Sequence, residues 1–105
     1  REYYSVSGAS AVEQIKKVNI DVAFIATSGF SPVNGFTNGS FDECELKRAV
    51  ISRAHKTVVL MDSSKYDRNL PYTFANLEDI DYLVTDRAMP PETVDLAAAK
   101  NAVIV

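Results

Sequence analysis

The sequence lacks several features that define whole classes of protein. It has a single cysteine, Cys44, so it forms no internal disulfide and is not a disulfide-stapled secreted mini-domain. Four glycines and four prolines in 105 residues are too few for a linker or a low-complexity segment. No apolar run approaches the roughly 18 residues of a membrane span, and no signal-peptide pattern opens the chain. We therefore expect a cytoplasmic protein with no membrane partner.

An excess of positive charge is also missing. Lys and Arg number 11 and Asp and Glu number 14, which gives a net charge of −3. A compact nucleic-acid-binding module normally carries a cationic surplus because it neutralises phosphates, so we do not expect these residues themselves to bind DNA.

What the chain does have is 47% hydrophobic residues, in a length suited to one domain with one core. We assign residues 1–105 to a single domain. Strand-like runs at residues 2–6 and 101–105 stand at its two ends. We expect the chain to be a truncated part of a larger domain.

Three internal runs predict buried strands, at residues 22–26, 57–61 and 80–84. Each is rich in β-branched or aromatic residues and nearly continuous in apolar character. Such continuity is typical of parallel strands that are covered on both faces.

Helical patterns lie between these strands. The spacing Ser-x-x-Glu, which lets two side chains satisfy free amides of a first helical turn, begins at Ser10 and again at Ser40. The second helix is predicted to run to about His55, and a third starts at Pro90 and Pro91 and continues through residues 92–100. The resulting order is strand, helix, strand, helix, strand, loop, strand, helix, strand. It predicts an α/β domain with a mostly parallel layered sheet and flanking helices, of the Rossmann-like kind.

Ligands of open α/β sheets bind beyond the carboxyl ends of the strands. Residues 27–30, 62–65 and 85–87 follow the three predicted strands and bring hydroxyls, a glycine amide and the ammonium of Lys65 to one edge. This chemistry suits an anionic ligand rich in hydroxyls, such as a sugar phosphate.

An ordered series of short motifs resembles the C-terminal effector domain of DeoR-type transcriptional regulators. The series is dense from about residue 20 to 66 and weaker from there to about residue 92. It consists of residues 21–25 (Asp-Val-Ala-Phe-Ile), 29–30 (Gly-Phe), 35–37 (Gly-Phe-Thr), 43–49 (Glu-Cys-Glu-Leu-Lys-Arg-Ala) and 62–65 (Asp-Ser-Ser-Lys).

The resemblance implies a bacterial repressor or activator of sugar catabolism that senses a phosphorylated sugar with this domain. We also expect a homo-oligomer in the full-length protein, no cofactor, no bound metal and no enzyme activity. Operator DNA would be bound by an N-terminal winged helix-turn-helix, which would lie before Arg1, as would the family's first phosphate-binding loop.

The same fold family, that of sugar isomerases and CoA transferases, includes ribose-5-phosphate isomerases, so an enzyme is a rival interpretation. Aligned on residues 62–65, the helical glutamate base of the isomerase falls on Lys47 and its loop lysine on Asn38. Its two aspartates fall near Ile25 and Ser28. Isomerisation through an enediol needs a carboxylate to move the proton, and these positions have none. A third interpretation is a domain that only oligomerises the regulator.

Seven residues are candidates for ligand binding, and four of them have a plainer alternative. Lys65 is the first choice for the phosphate, against an ordinary solvated lysine. Asp62 orients Lys65 or caps the turn, Gly29 offers an amide or simply turns the chain, and Lys47 contacts ligand or only pairs with Glu43. The full set is Lys65, Ser28, Gly29, Thr27, Asn38, Lys47 and Asp62.

Cys44 and His55 are predicted to have no catalytic or metal-binding role, and the loop at residues 66–74 has two possible roles. Cys44 is expected to be a small buried residue, because nothing near it in sequence would lower the pKa of its thiol. His55, the only histidine, is expected at a helix carboxyl end, and no Cys/His set has metal-ligand spacing. The aromatic and charged loop at residues 66–74 is either a lid or a subunit contact.

Overall fold

The computed structural model describes residues 8–105, and the strand expected at residues 2–6 lies outside them. Three helices and seven strands make up the described part, with short 3₁₀ turns at Ser63–Lys65 and Leu77–Asp79. In chain order they are α1 (Gly8–Ile15), β1 (Ile20–Ala26), β2 (Gly29–Ser31), β3 (Gly35–Asn38), α2 (Phe41–Arg53), β4 (Ala54–Met61), β5 (Tyr72–Ala75), β6 (Tyr82–Thr85), α3 (Pro91–Ala99) and β7 (Val103–Ile104).

A four-stranded sheet, with the order β1-β4-β6-β7 and every neighbouring pair parallel, forms the centre of the fold. It confirms the α/β prediction and the three internal strands. The third begins at Tyr82 rather than at residue 80, because residues 77–79 form a 3₁₀ turn that ends on the buried Ile80. The strand expected at residues 101–105 is shorter, at Val103–Ile104.

A second sheet, antiparallel with the order β2-β3-β5, was not expected from the sequence. A tight turn joins β2 to β3, and Gly35 takes a positive φ of 75° there, a conformation that favours glycine. Phe30 and Phe36 are fully buried, with ring centroids 4.6 Å apart. The prediction of a loop at residues 66–74 was wrong for its last three residues, because Tyr72–Ala75 is a strand paired with β3.

The helices agree with the sequence in place but not at every end. Ser40 is the N-cap of α2, since its hydroxyl accepts a hydrogen bond of 3.2 Å from the Glu43 amide. Helix α2 ends at Arg53 and β4 follows without a loop, so the expectation that His55 ends a helix was wrong: His55 is an exposed strand residue. Ser10 lies inside α1, which begins at Gly8, so Ser10 is not an N-cap.

Arg53 links the end of α2 to the residues just before β1. Its guanidinium donates to the Val18 carbonyl at 2.9 Å and to the Asn19 side chain at 2.6 Å, just before β1 begins. The entries to β1 and β4, which are paired from Ile20 with Ala54 onward, are thus joined by one side chain.

The two faces of the parallel sheet differ sharply in cover. Ala23, Ile25, Val59 and Leu83 are buried and belong to the single core, where α2 packs against β1 and β4, and α3 against β7. The residues that alternate with them are exposed: Val22, Phe24, Leu60, Tyr82, Val84 and Val103. Apolar side chains therefore line both faces, although only one face is covered in the described structure.

Candidate functional site

The three segments that follow the parallel strands lie along one edge of the sheet, as predicted. Ala26 at the end of β1 pairs with Leu60 of β4, and Met61 at the end of β4 pairs with Thr85 of β6. Residues 27–30, 62–65 and 85–87 therefore leave the sheet side by side.

Four of the seven candidate residues come together beyond β1. The Ser28 amide donates to the Thr37 carbonyl at 3.3 Å, and its hydroxyl lies 3.5 Å from Oδ1 of Asn38. The buried Thr27 hydroxyl donates to the carbonyl of Gly29 at 2.8 Å. The hydroxyl of Thr27 is thus committed within the protein, whereas Ser28 is only half-buried.

Gly29 is required by a close approach of another backbone segment. A Cβ built there would stand 2.5 Å from the Arg68 carbonyl oxygen and 2.8 Å from Oγ1 of Thr37. Only Gly35 among the described glycines has a positive φ. The explanation that Gly29 turns the chain is therefore wrong, and its small size is what the structure uses.

Lys47 reaches this group of residues from the neighbouring helix. Its ammonium donates to the Ala26 carbonyl at 2.6 Å and lies 4.8 Å from the centroid of the Phe74 ring. Partial burial lowers the pKa of Lys47, while the Glu43 charge acts in the opposite direction. No Glu43–Lys47 ion pair forms among residues 8–105, so the simple pairing considered for these two was wrong.

Asp62 and Lys65 lie at the end of β4, the next strand of the sheet. The Asp62 carboxylate caps the 3₁₀ turn by accepting a hydrogen bond of 3.0 Å from the Ser64 amide. The Lys65 amide donates to the Asp62 carbonyl at 2.9 Å, while its ammonium has no hydrogen-bond or ion-pair partner among the described residues. The structure thus supports the capping interpretation of Asp62 and shows no contact between Asp62 and the Lys65 ammonium.

Asp86, at the end of β6, was missed as a functional candidate. Its carboxylate accepts a hydrogen bond of 2.7 Å from the Ser63 amide and one of 3.3 Å from the Ser63 hydroxyl. The bond from the amide is the main reason that the pKa of Asp86 is lowered. The available sequence signal was its place in residues 85–87, the segment that follows the third predicted strand.

A surface groove with a volume of about 440 Å³ reaches the third segment of the candidate edge. It is lined by Thr85, Asp86 and Arg87 together with residues of α3 and β7. Another, of about 420 Å³, lies between α2 and β5 and includes Arg48, whose guanidinium binds the Thr73 carbonyl. None of the seven candidates lines either groove.

The cysteine, possible metal ligands and possible membrane helices were the remaining features of interest. Cys44 is buried, as expected, with its thiol 3.4 Å from the Tyr72 carbonyl, and burial raises its pKa. Within residues 8–105, no three His, Cys, Asp or Glu side chains gather into a set that could hold a metal ion. In the same residues no helix has the length and apolar character to cross a membrane.

Comparison with known proteins gives a consistent result. A family model described as the DeoR C-terminal sensor domain matches residues 1–87. A putative sgc region transcriptional regulator of Escherichia coli (strain K12) is 32% identical over 92 residues, which are 88% of this chain and 35% of that protein. The HTH-type transcriptional regulator GlpR of Haloferax volcanii is 27% identical over 105 residues, 100% of this chain and 41% of that protein.

A third relative is the HTH-type transcriptional repressor GlcR of Bacillus subtilis (strain 168). It is 32% identical over 87 residues, which are 83% of this chain and 33% of that protein. The chain thus spans about a third to two fifths of the length of the curated relatives that it matches.

Proposed function

Because this chain belongs to the DeoR C-terminal sensor domain family, we propose that it senses a phosphorylated sugar on behalf of a transcriptional regulator. The observation that supports this most is the gathering of Ser28, Asn38 and Lys47 at the carboxyl end of β1. Two hydrogen-bonding side chains and a cation stand at the edge where an α/β sheet holds its ligands.

Lys65 is the proposed partner of the phosphate. Its ammonium has no partner among the described residues, so an incoming anion displaces no internal ion pair. A charge-assisted hydrogen bond to phosphate is about twice as strong as a neutral one, which makes such a lysine a favourable anchor.

Lys47 is the proposed second cation. Its ammonium is half-buried and held only by a neutral carbonyl and an aromatic ring, so it lacks a full counter-charge nearby. A bound anion would supply that charge and restore the pKa of Lys47 toward its ordinary value. Ser28 would then contact the sugar hydroxyls, with Thr27, Gly29, Asn38 and Asp62 supporting the loops.

The regulator would convert this binding into a change of operator affinity. Two of the three relatives described above are named HTH-type, and the chain covers less than half of each of the three. We assign DNA binding to an N-terminal domain of the whole regulator, and homo-oligomerisation to the whole regulator as well. Effector binding shifts operator affinity only by the difference between its affinities for the two regulator conformations.

An isomerase-like enzyme is the second candidate, and the chemistry of the site disfavours it. Among the seven candidates, Asp62 has the only carboxylate that could act as a base, and it accepts a hydrogen bond from the Ser64 amide. The helical position of the isomerase base is occupied by Lys47. Proton transfer at carbon needs a free carboxylate or an equivalent base in reach of the substrate. The relatives named here are transcriptional regulators.

A thermal-shift panel on the full-length protein tests the proposal. Pentose and hexose phosphates are compared with the same sugars without phosphate, at concentrations about 100 times the expected Kd, where binding adds roughly 2.7 kcal/mol. We expect one sugar phosphate to raise the Tm by several degrees, and the shift to disappear in Lys65→Ala. Lys17→Ala, an exposed lysine just before β1, is the matched control and should respond like the parent protein.

Two results would contradict the sensor interpretation. A flat response of the folded parent protein across the panel would favour a purely oligomerising domain. Turnover of ribose 5-phosphate that vanishes in Lys47→Met or Lys65→Ala would favour the enzyme. A shift that survives both lysine substitutions would move the ligand to another part of the protein.

A further inference from the structure

The short 3₁₀ turn that carries Lys65 satisfies most of its backbone amides within itself. Asp62, its N-cap, accepts a hydrogen bond from the Ser64 amide with its carboxylate and one from the Lys65 amide with its carbonyl. The Tyr66 amide donates to the Ser63 carbonyl at 3.1 Å. The turn therefore depends on an outside partner for only one amide, that of Ser63.

Asp86, which follows β6, is the partner of that remaining amide. Its carboxylate accepts hydrogen bonds from both the amide and the hydroxyl of Ser63, at 2.7 Å and 3.3 Å. A hydrogen bond to an ionised carboxylate is about twice as strong as one between neutral groups, which favours this link between the ends of β4 and β6. With every amide of the turn occupied, the group that the turn can offer to an anion is the Lys65 ammonium.

The chain on the other side of Lys65 is held separately. The Tyr66 hydroxyl is hydrogen-bonded to the hydroxyl of Thr93 in α3, and the Asp67 amide donates to a carbonyl of β2 at 2.7 Å. Without the link to β6, residues 62–65 would be held between the end of β4 and these contacts only by bonds within the turn. The position of the Lys65 ammonium would then vary more.

We propose that Asp86 is a positioning residue for the phosphate-binding Lys65: by holding Ser63, it fixes the turn in the place where the Lys65 ammonium meets the phosphate. This role depends on the proposed function, which assigns the phosphate to Lys65. Position and charge predict opposite effects here, because the Asp86 carboxylate repels an anion bound nearby. Removal of Asp86 therefore weakens binding if its position matters, and strengthens binding if only its charge does.

Isothermal titration calorimetry of the full-length protein tests this proposal, with the pentose and hexose phosphates of the thermal-shift panel, ribose 5-phosphate among them, as probes. We expect Asp86→Ala to raise the Kd of the sugar phosphate that binds the parent protein by about 10-fold, the effect of one hydrogen bond to a charged group. Asp86→Asn loses the same charge but keeps an acceptor oxygen for the Ser63 amide, so it should recover part of the affinity. Asp95→Ala, at an exposed position on α3, is the matched control for the loss of one carboxylate and should bind like the parent protein.

The salt dependence of the Kd separates the position of Lys65 from general damage to the fold. Salt screens the attraction between the Lys65 ammonium and the phosphate, so binding to the parent protein should weaken as the salt concentration rises. In Asp86→Ala the misplaced ammonium should make the Kd less dependent on salt, as in Lys65→Met. A loss of stability alone would leave this dependence unchanged, provided that circular dichroism shows each variant to be folded at the temperature of the titration.

Three results would overturn the proposal. Binding to Asp86→Ala that is as tight as to the parent protein, or tighter, would show that Asp86 does not act by positioning Lys65. A salt dependence in Asp86→Ala equal to that of the parent protein would show the same. Both results leave the proposed function intact. If no sugar phosphate of the panel binds the parent protein, the proposed function itself fails, and the role of Asp86 fails with it.

Discussion

Gly29→Ala tests why a glycine stands at the first residue of β2. The added methyl group would lie 2.5 Å from the Arg68 carbonyl oxygen and 2.8 Å from Oγ1 of Thr37. The carbonyl belongs to the backbone and follows the turn at the end of β4, so it cannot rotate away as a long side chain would. Either Gly29 or the segment around Arg68 has to move.

Gly39→Ala supplies the matched measurement. A Cβ at Gly39 would meet nothing within 4 Å. Both substitutions restrict the unfolded chain to a similar degree, a stabilising effect of about 0.4–1 kcal/mol. The difference between the two variants therefore isolates the clash, which by analogy with overpacked cores costs about 1–3 kcal/mol.

Urea unfolding followed by far-UV circular dichroism measures this difference, since the chain has no tryptophan to serve as a fluorescence probe. We expect Gly39→Ala to match or exceed the parent protein in free energy of unfolding, and Gly29→Ala to fall below it. For a domain of this size, each kcal/mol corresponds to roughly 4–8 °C in Tm. Equal stabilities within about 0.5 kcal/mol would refute the close-approach explanation.

Three smaller substitutions test other contacts. Ser40→Ala removes the N-cap of α2 and should lower the free energy of unfolding by about 1 kcal/mol in urea. Tyr66→Phe leaves the hydroxyl of the fully buried Thr93 without its partner and should cost about 1–3 kcal/mol by the same assay. Asp86→Asn tests the bond to Ser63: because the pKa of Asp86 is lowered in the folded protein, its contribution is present at neutral pH and lost as the pH falls through that pKa, below about 4. The parent protein should therefore exceed Asp86→Asn in stability at pH 7, and this advantage should shrink progressively as the pH falls below about 4.

Matched controls separate these effects from general damage. Ser64→Ala, Tyr72→Phe and Asp95→Asn change the same residue types at exposed positions and should each stay close to the parent protein. Ser40→Ala or Tyr66→Phe no less stable than its control would contradict the corresponding contact. An advantage over Asp86→Asn that persists unchanged at pH 3 would show that the carboxylate is not the group responsible.

The parallel sheet could be predicted from the sequence because its strands are apolar on both sides. Residues 22–26 and 57–61 are strands in the structure. A short, nearly continuous apolar run of this kind is typical of a strand in the interior of a sheet that is covered on both faces. The antiparallel sheet could not be predicted in this way. Its strands have only three or four residues. They bury the polar residues Ser31, Thr37 and Asn38, whose side chains are hydrogen-bonded within the protein. The pair Asn34 and Gly35 between two phenylalanines was the one available hairpin signal.

The sequence predicted which segments form the candidate site, but it did not predict the contacts between their side chains. The rule for parallel strands correctly brought residues 27–30, 62–65 and 85–87 to one edge. It could not show that Lys47 bends toward Ala26 and away from Glu43, because that choice depends on a tertiary contact with the Phe74 ring. The close approach of Arg68 to Gly29 is likewise invisible in the sequence, since 39 positions separate the two residues.

The hydrogen bonds of Arg53 have a mechanical consequence for α2. They tie the last residue of the helix to the chain just before β1, while Arg48, near its middle, binds the Thr73 carbonyl of β5. The helix, about 20 Å long at 1.5 Å per residue, is therefore held to the parallel sheet at one point and to the antiparallel sheet at another. A pull on Lys47 by an anion would be resisted by both sheets together and could not be taken up by α2 alone.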